Sequence, residues 1–428
     1  MELFPPLCRN VIDPRNPRKI LYPLTSLLFA GVLMFLCRLG SRRQIAFLLR
    51  NSRGRKTFAA IFGIHRFPHG DTLEEVVRRL DPDQLQNVVT SMTESLIRKK
   101  VLYPYRLRSR YFVVAIDGTG IHTFSERHCE HCLTVTHKGK TSYYHNVLEA
   151  KLVTPNGFAF SLMSEFIENP EPNMTKQDCE LKAFYRMAPG LKARFPRLPL
   201  LLSLDGLFAC GPVFGMCSDY GWKYMITLKD DDLPSVNQEF RALSPLQPEN
   251  RFTWHTGIQA EITQRFRWVD HIAYVDTKSR EHTLSVLQCV ETKPCQEGHP
   301  STNTFRWVTN CHLAAKNAVE LACNGGRIRW KVENEGFNVQ KNGGYELEHG
   351  YSTDLTASKA YYFLLQIAHI LAQLLYKGSL LKEVFPKGVG SSKNLAFLLL
   401  EAWRNSPLSP DAYQALVTTR FQIRFDTS

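Results

Sequence analysis

Two aspartates share a setting that suits metal chemistry. Asp117 follows the apolar run Tyr111-Phe-Val-Val-Ala-Ile116, Asp205 follows Leu200-Leu-Leu-Ser-Leu204, and each is followed by glycine. Both are read as closing a strand, and in a mixed or parallel sheet the strand ends aim side chains into the crevice where ligands bind. Adjacent ends would bring the carboxylates together, which is costly unless a cation neutralises them, and hard divalent ions such as Mg²⁺ take oxygen ligands. Two such ions roughly 4 Å apart clamp the attacking and leaving oxygens of a phosphoryl displacement, with a third carboxylate completing the site. A lone Asp after a strand often caps the next turn. The repeated Asp-Gly is what singles out this pair.

The third carboxylate is sought in a helix expected over Arg327 to about Lys341. At about 100° per residue, Arg329, Glu333, Phe337 and Lys341 step four by four along one stripe, whereas Glu335 lies roughly 200° from Glu333. Glu333 is therefore the candidate metal ligand, with Arg329 and Lys341 beside it to hold phosphates. An i, i+4 ladder of surface ion pairs is the other reading of the same spacing.

A second metal-like cluster is His128-Cys129-Glu130-His131-Cys132. Cys129 and Cys132 can supply half of a tetrahedral zinc site, with His122 or His137 as further donors, or can remain plain thiols. Glu165 and the stretch Lys176-Gln-Asp-Cys-Glu180 are read as capping or orienting groups, and Asp230-Asp-Asp232 as a solvated loop. Trp254, Trp268 and Trp307 are read as core residues that could alternatively stack on an extruded base. The chain has no Gly-rich phosphate loop before a helix, no Gly-x-Ser-x-Gly and no His-Glu-x-x-His, which speaks against NTP hydrolysis, serine hydrolase and zincin chemistry.

The elements that must position these groups change texture along the chain. Residues 1–110 are expected to form a basic helical domain: Ser41-Arg-Arg-Gln44 and Asp71-Thr-Leu-Glu74 have capping-box form, and Asp81-Pro82 starts a helix running to Arg98-Lys-Lys100. From Tyr111 come a strand, a hairpin through Pro155-Asn-Gly157, a helix over 175–188 beginning Thr175-Lys-Gln-Asp178, the strand at 200–204, a short helix and a strand at 223–228. That order gives one mixed sheet with flanking helices, over 111–231 and 311–378. Residues 232–310 read as a β-rich insertion. Helices resume near Ala314, Asn324-Gly-Gly326 stops one, a long apolar helix covers Ala357 to Leu375, and 379–428 form a helical tail.

Charge is as uneven as texture. The net charge is +13, yet residues 1–110 alone hold 20 Lys/Arg against 8 Asp/Glu. Arg42, Arg43, Arg50, Arg53, Arg55 and Lys56 fall within fifteen positions without an intervening acid. A polyanion partner, most simply nucleic acid, fits that segment, while an ordinary solvated face is the reading for any single arginine. The longest apolar stretch, Leu27 to Cys37, is shorter than the roughly 20 residues that span a bilayer. The start, Met-Glu-Leu-Phe-Pro-Pro, lacks secretory-leader character, and the eleven scattered Cys suit a reducing compartment. A cytoplasmic, nucleoid-associated protein without a membrane partner is expected.

Asp117-Gly-Thr, Asp205-Gly and Arg329-Trp-Lys-Val-Glu333-Asn-Glu-Gly-Phe-Asn together resemble the DDE transposases of bacterial insertion sequences, in the branch with a β-rich insertion between the second Asp and the Glu. The likeness covers roughly residues 111–375. It departs from the branch's Tyr-x-x-Arg-x-x-x-Glu-x6-Lys signature at Gly326, where Tyr is the pattern, and at Lys341, one residue late. The resemblance implies a ribonuclease-H-like α/β fold and an Asp117, Asp205, Glu333 triad binding two Mg²⁺ or Mn²⁺ ions. It also implies cut-and-paste chemistry on double-stranded DNA, both the terminal inverted repeats and the target, by a homodimer assembled on the two ends.

Overall fold

Leu24–Leu36 forms α1, an almost wholly buried apolar helix that is followed by α2 (Ser52–Phe62), α3 (Gly70–Val77) and α4 (Pro82–Arg98). The computed structural model describes residues 8–171, 176–294, 299–382, 384–419 and 422–425; the N-terminal hexapeptide and Thr175 weighed above lie outside them. Asp81 caps α4 as expected, its side chain accepting from Asp83 N at 3.0 Å with Pro82 in the first turn. The other two cap expectations are corrected. Ser41 caps nothing, because Gln44 leads into a single wide turn, Ile45–Leu49. The α3 cap is His69, because Glu74 is buried and binds Arg42, Arg78 and Ser352 instead of turning back to the helix start.

Phe112–Phe124 forms β1, in which Asp117 is an interior residue; the reading of Asp117 as a strand end is corrected. The strand runs on because Gly118 to Phe124 keep pairing with β3 (Lys140–Val153), across a register shift between Gly120 and His122. Between them, β2 (Leu133–His137) folds onto β3 through Lys138-Gly139, both at positive φ, the backbone of a two-residue type I′ hairpin. The expected hairpin at Pro155-Asn-Gly157 is present and pairs β3 with β4 (Ala159–Ile167). On the opposite edge of β1, β5 (Leu200–Leu204) and then β6 (Lys223–Thr227) run parallel. Their crossovers pass through α5 (Glu180–Arg194) and α6 (Gly211–Tyr220). The start of α5 is later than expected because Asp178 is occupied, accepting from Glu168 N and pairing with Arg186.

The β-rich stretch contributes α7 (Pro234–Leu243), β7 (Arg251–Thr256), β8 (Ile262–Val275), β9 (Glu281–Lys293) and β10 (Ser301–Thr309). It continues the same sheet, because β10 pairs antiparallel with β6, giving the order β2-β3-β1-β5-β6-β10-β9-β8-β7 with β4 on β3. A meander around a central β1 followed by two parallel strands, with helices on the faces, is the ribonuclease-H-like arrangement the sequence implied. Trp268 and Trp307 are core residues, while Trp254 is half exposed.

One sheet face is covered by a winding segment: α8 (Ala315–Leu321), wide turns at Ala322–Gly326 and Val332–Phe337, a tight turn at Arg327–Arg329 between them, and α9 (Asn338–Asn342). Two expectations are corrected here. Asn324-Gly-Gly326 does not stop the helix; it lets the backbone lie on the sheet, where a Cβ at Gly326 would stand 2.5 Å from the Trp307 indole. The regular four-by-four stripe is also lost in the wide turns, and Lys341 pairs with Glu348 at 2.9 Å. Ile328, Val332 and Phe337 instead form the buried edge, packing over Val113, Ala115 and Leu201.

The long helix α10 (Leu355–Lys377) packs on α1 and α4 within one core shared with the sheet. It is less apolar inside than its sequence suggests. Lys151 and Glu149 of β3, both fully buried, pair at 3.3 Å; Lys151 also donates to Gln366 at 2.8 Å, and Glu149 accepts from Tyr362, Ser161 and Ser164. Beyond α10, α11 (Ser392–Asn405) and α12 (Pro410–Thr418) dock on the N-terminal helices, with Trp403 Nε1 donating to Leu49 O at 3.0 Å. Among the described residues, no helix is long and apolar enough to cross a membrane.

Candidate active site

The parallel ladder between β1 and β5 pairs Phe112 with Leu200 and Ala115 with Ser203. Continuing that register by two residues sets Asp117 opposite Asp205, on the same face of the sheet and about 4.8 Å apart in backbone. Asp205 ends its strand in extended conformation and caps the following turn, accepting from Leu207 N at 2.9 Å. Of the two expected strand ends, only Asp205 closes its strand; Asp117 lies inside β1.

Glu333 sits on the exposed side of the wide turn Val332–Phe337, whose other side is anchored by Val332 and Phe337. Burial pushes the Asp117 carboxyl up from its ordinary value; Arg329 opposes this, while Asp205 and Glu333 add to it. Glu333 is therefore close enough to be felt by Asp117. Glu335 points elsewhere, against the Gly157 turn and toward Lys377. Arg329 Nη1 donates to Asp117 Oδ2 at 2.6 Å, and Gly118 N to Asp117 Oδ1 at 3.1 Å.

A fourth carboxylate completes the group. Glu180, the first residue of α5, lies directly over Gly118, where any side chain would overlap its carboxylate. Burial, Asp117 and Asp205 push the Glu180 carboxyl up to about 7, against the opposing pull of Arg329. The sequence reading treated Glu180 as a helix-capping or orienting group. Its nearest signal was the glycine after Asp117, which is small because Glu180 fills the space. Asp230, in contrast, is taken up by ion pairs with Arg306 at 3.0 Å and Arg241 at 2.7 Å.

Four carboxylates and Arg329 share this region; their oxygens are not drawn together within the 4.8 Å that Cys129, Cys132 and His145 reach among the described residues, and as oxygen donors they would suit a hard divalent cation. A cleft of about 590 Å³ opens beside it, between β6, β10 and the turn at Gly326–Trp330. Arg329 links cleft and cluster. Trp330 stands half exposed at the rim, and the Arg327 guanidinium lies over the Phe305 ring at 4.5 Å, held by Glu291 at 2.5 Å. Such a mixture of flat rings and guanidinium groups suits a nucleic-acid strand.

Residues 8–92 match the family model of the DDE_Tnp_1-associated domain. This domain accompanies DDE transposase domains, so the match supports a transposase family for the chain. No curated protein matches the chain. The DDE_Tnp_1-associated segment spans α1 to most of α4 and includes all six basic residues singled out in the sequence. Of these, Arg43, Arg50, Arg53, Arg55 and Lys56 are exposed, and Arg53 caps Asn405 O at 3.0 Å. Arg42 differs from the rest because the fold gives it acidic neighbours that the linear sequence does not: Glu74 at 3.2 Å and Asp71 at 3.8 Å.

Proposed function

We propose that the chain is a DDE transposase that cleaves and joins DNA ends, with Asp117, Asp205 and Glu333 holding two Mg²⁺ or Mn²⁺ ions. The observation that carries this reading is the parallel β1–β5 register from Phe112–Leu200 to Ala115–Ser203, which brings Asp117 opposite Asp205 when continued two residues, in a chain whose N-terminal region matches a transposase-associated domain. Ions bound there supply activated water for phosphodiester hydrolysis and stabilise the leaving oxygen. The protein's own part is positioning. Glu180 stands over Gly118 beside Asp117, and the Arg329 guanidinium, bonded to Asp117, is placed to turn toward a DNA phosphate. Trp330 and the cleft beside it receive the strand. The exposed arginines of the N-terminal helices grip double-stranded DNA, first the terminal inverted repeats, and a homodimer brings two ends together before the target is joined. A cytoplasmic, nucleoid-associated location follows from that substrate.

The test is incubation of the full chain with Mg²⁺ and DNA bearing the inverted repeats that flank its gene, resolving nicked, excised and joined products. Cleavage and joining lost in Asp117→Asn, Asp205→Asn and Glu333→Gln, with DNA binding retained, are expected. Cleavage without joining would indicate a nuclease instead, and unchanged activity in Asp117→Asn would remove the site.

A further inference from the structure

Far from the carboxylates, Cys129, Cys132 and His145 converge. Their ligand atoms all lie within 4.8 Å of one another: Sγ to Sγ is 3.6 Å, and His145 Nε2 is 3.3 Å from Cys129 Sγ and 3.4 Å from Cys132 Sγ. With zinc–sulfur bonds of about 2.3 Å and zinc–nitrogen bonds of about 2.0 Å, the edges of a tetrahedral site come to roughly 3.5–3.8 Å. The triangle is close to that size. Hydrogen bonding accounts for it poorly, since one imidazole nitrogen has a single lone pair or a single proton to share between two thiols.

A second observation points the same way. His145 is buried, and its other nitrogen, Nδ1, has no hydrogen-bond partner. The equally unpartnered Oε1 of buried-edge Glu168 faces it at 4.0 Å, while Lys359 holds Glu168 Oε2 at 2.6 Å. A histidine that binds metal through one nitrogen and directs the other N–H toward a carboxylate has this arrangement. The backbone enforces it. Turning β2 back at Lys138-Gly139 sets the residue before Leu133 opposite the residue after Tyr144, and Asn169 clamps the Cys-x-x-Cys loop by binding Cys132 O and His131. Neither histidine considered from the sequence takes part: His122 is bonded to Ser358 at 2.6 Å, and His137 ends β2 in solvent.

We propose that Cys129, Cys132 and His145 bind one structural zinc ion, the two thiols releasing their protons to solvent as they ligate it. Half-buried Cys129 leaves the fourth position to water or to a donor of the exposed loop. The ion fastens that loop to β3 at the position paired with His122, roughly 15 Å along β1 from Asp117, and is separate from the proposed catalytic ions.

The full chain, purified without chelator, is analysed for metal by mass spectrometry and by thermal melting. About one zinc per chain is expected in the wild type and in Asp117→Asn. Cys129→Ser and His145→Gln should lose it, and Glu168→Gln should bind it about tenfold or more weakly. Stripping zinc should lower the melting temperature, with recovery on adding Zn²⁺ but not Mg²⁺. Because Cys129 is partly exposed, its serine variant remains informative if His145→Gln fails to fold. A zinc-free wild type that added zinc does not stabilise would overturn the proposal, as would zinc lost in Asp117→Asn but kept in Cys129→Ser. An intact mass showing a Cys129–Cys132 disulfide would do the same. None of these outcomes depends on DNA cleavage, so the transposase reading stands or falls separately.

Discussion

Arg329 Nη1 donates to Asp117 Oδ2 at 2.6 Å, so the central carboxylate of the sheet is held by the same segment that carries Glu333. Removing the guanidinium leaves Asp117 among Asp205, Glu333 and Glu180 without the cation bonded to it. Arg329→Gln should therefore melt lower than the wild type without divalent ions, and Mg²⁺ should raise its melting temperature more. DNA cleavage should fall roughly 10²-fold or more with the loss of a phosphate-binding donor. Equal Mg²⁺ shifts in the two proteins would show that the arginine does not compete for the carboxylate.

Gly118 and Glu180 should behave as one unit. A methyl group at 118 displaces the Glu180 carboxylate, whose side chain is flexible enough for the protein still to fold. Gly118→Ala and Glu180→Ala are each expected to reduce cleavage, and the double variant to be no worse than Glu180→Ala, as interacting neighbours require. Additive losses in that cycle would mean that Gly118 is needed for another reason.

The Glu291–Arg327 pair ties β9 to the turn that carries Arg329, and it is sensitive to acid. Burial raises the Glu291 carboxyl, but Arg327, Gln264 and Lys293 outweigh burial and bring it down to about 2, from an ordinary 4.5. A lowered folded-state pKa stabilises above the unfolded value and loses that stabilisation as pH falls from 4.5 toward 2. Glu291→Gln should cost about 1.5–3 kcal/mol at neutral pH, and its urea midpoint should fall less steeply than the wild type's in acid. Parallel acid limbs would refute the assignment.

One mixed sheet with flanking helices was readable from the order of apolar runs and turns, and its ribonuclease-H-like character from the family resemblance. Three features were not readable. Asp117 looked like a strand end because Gly118-Thr-Gly120 has little β character, yet pairing with β3 overrides propensity. The regular stripe over 329–341 assumed one helical period, whereas glycines 325, 326 and 336 fit wide turns pressed onto the sheet. Glu180 reaches its cluster from an element distant in sequence from Asp117, and no local spacing encodes that approach; His145 is nearer its partners, but its approach depends on the unexpected β2–β3 turn at Lys138-Gly139.

Buried Lys151 is expected to be costly to replace alone. Burial lowers its pKa, and Glu149 beside it counters that shift. Lys151→Met strands the Glu149 charge and should destabilise by about 3–5 kcal/mol in chemical denaturation, whereas Glu149→Gln with Lys151→Met should recover part of that loss. A double variant as unstable as Lys151→Met would mean that the remaining network, through Tyr362 and Gln366, cannot rearrange.

The basic helices invite a salt titration. Arg43→Ala, Arg50→Ala and Arg55→Ala combined should weaken DNA binding and flatten the dependence of log K on log salt by roughly 0.9 for each phosphate that the protein no longer neutralises. Arg42→Ala should leave that slope nearly unchanged and lower stability instead, because Arg42 serves buried Glu74. A slope change from Arg42→Ala as large as from the exposed arginines would reverse their roles.

The tryptophan at 403 gives these helices a chronology. The turn ahead of Arg50 is held by the Trp403 indole, Asn51 Nδ2 binds Arg404 O at 2.8 Å, and Gly54 is small so that the indole can pass beneath it. On the ribosome, some 350 residues separate synthesis of the arginines from synthesis of the platform under them. A nascent chain therefore carries its positive charge early and its rigid presentation of that charge late, so under the proposed function firm capture of DNA would wait for chains translated past Glu333.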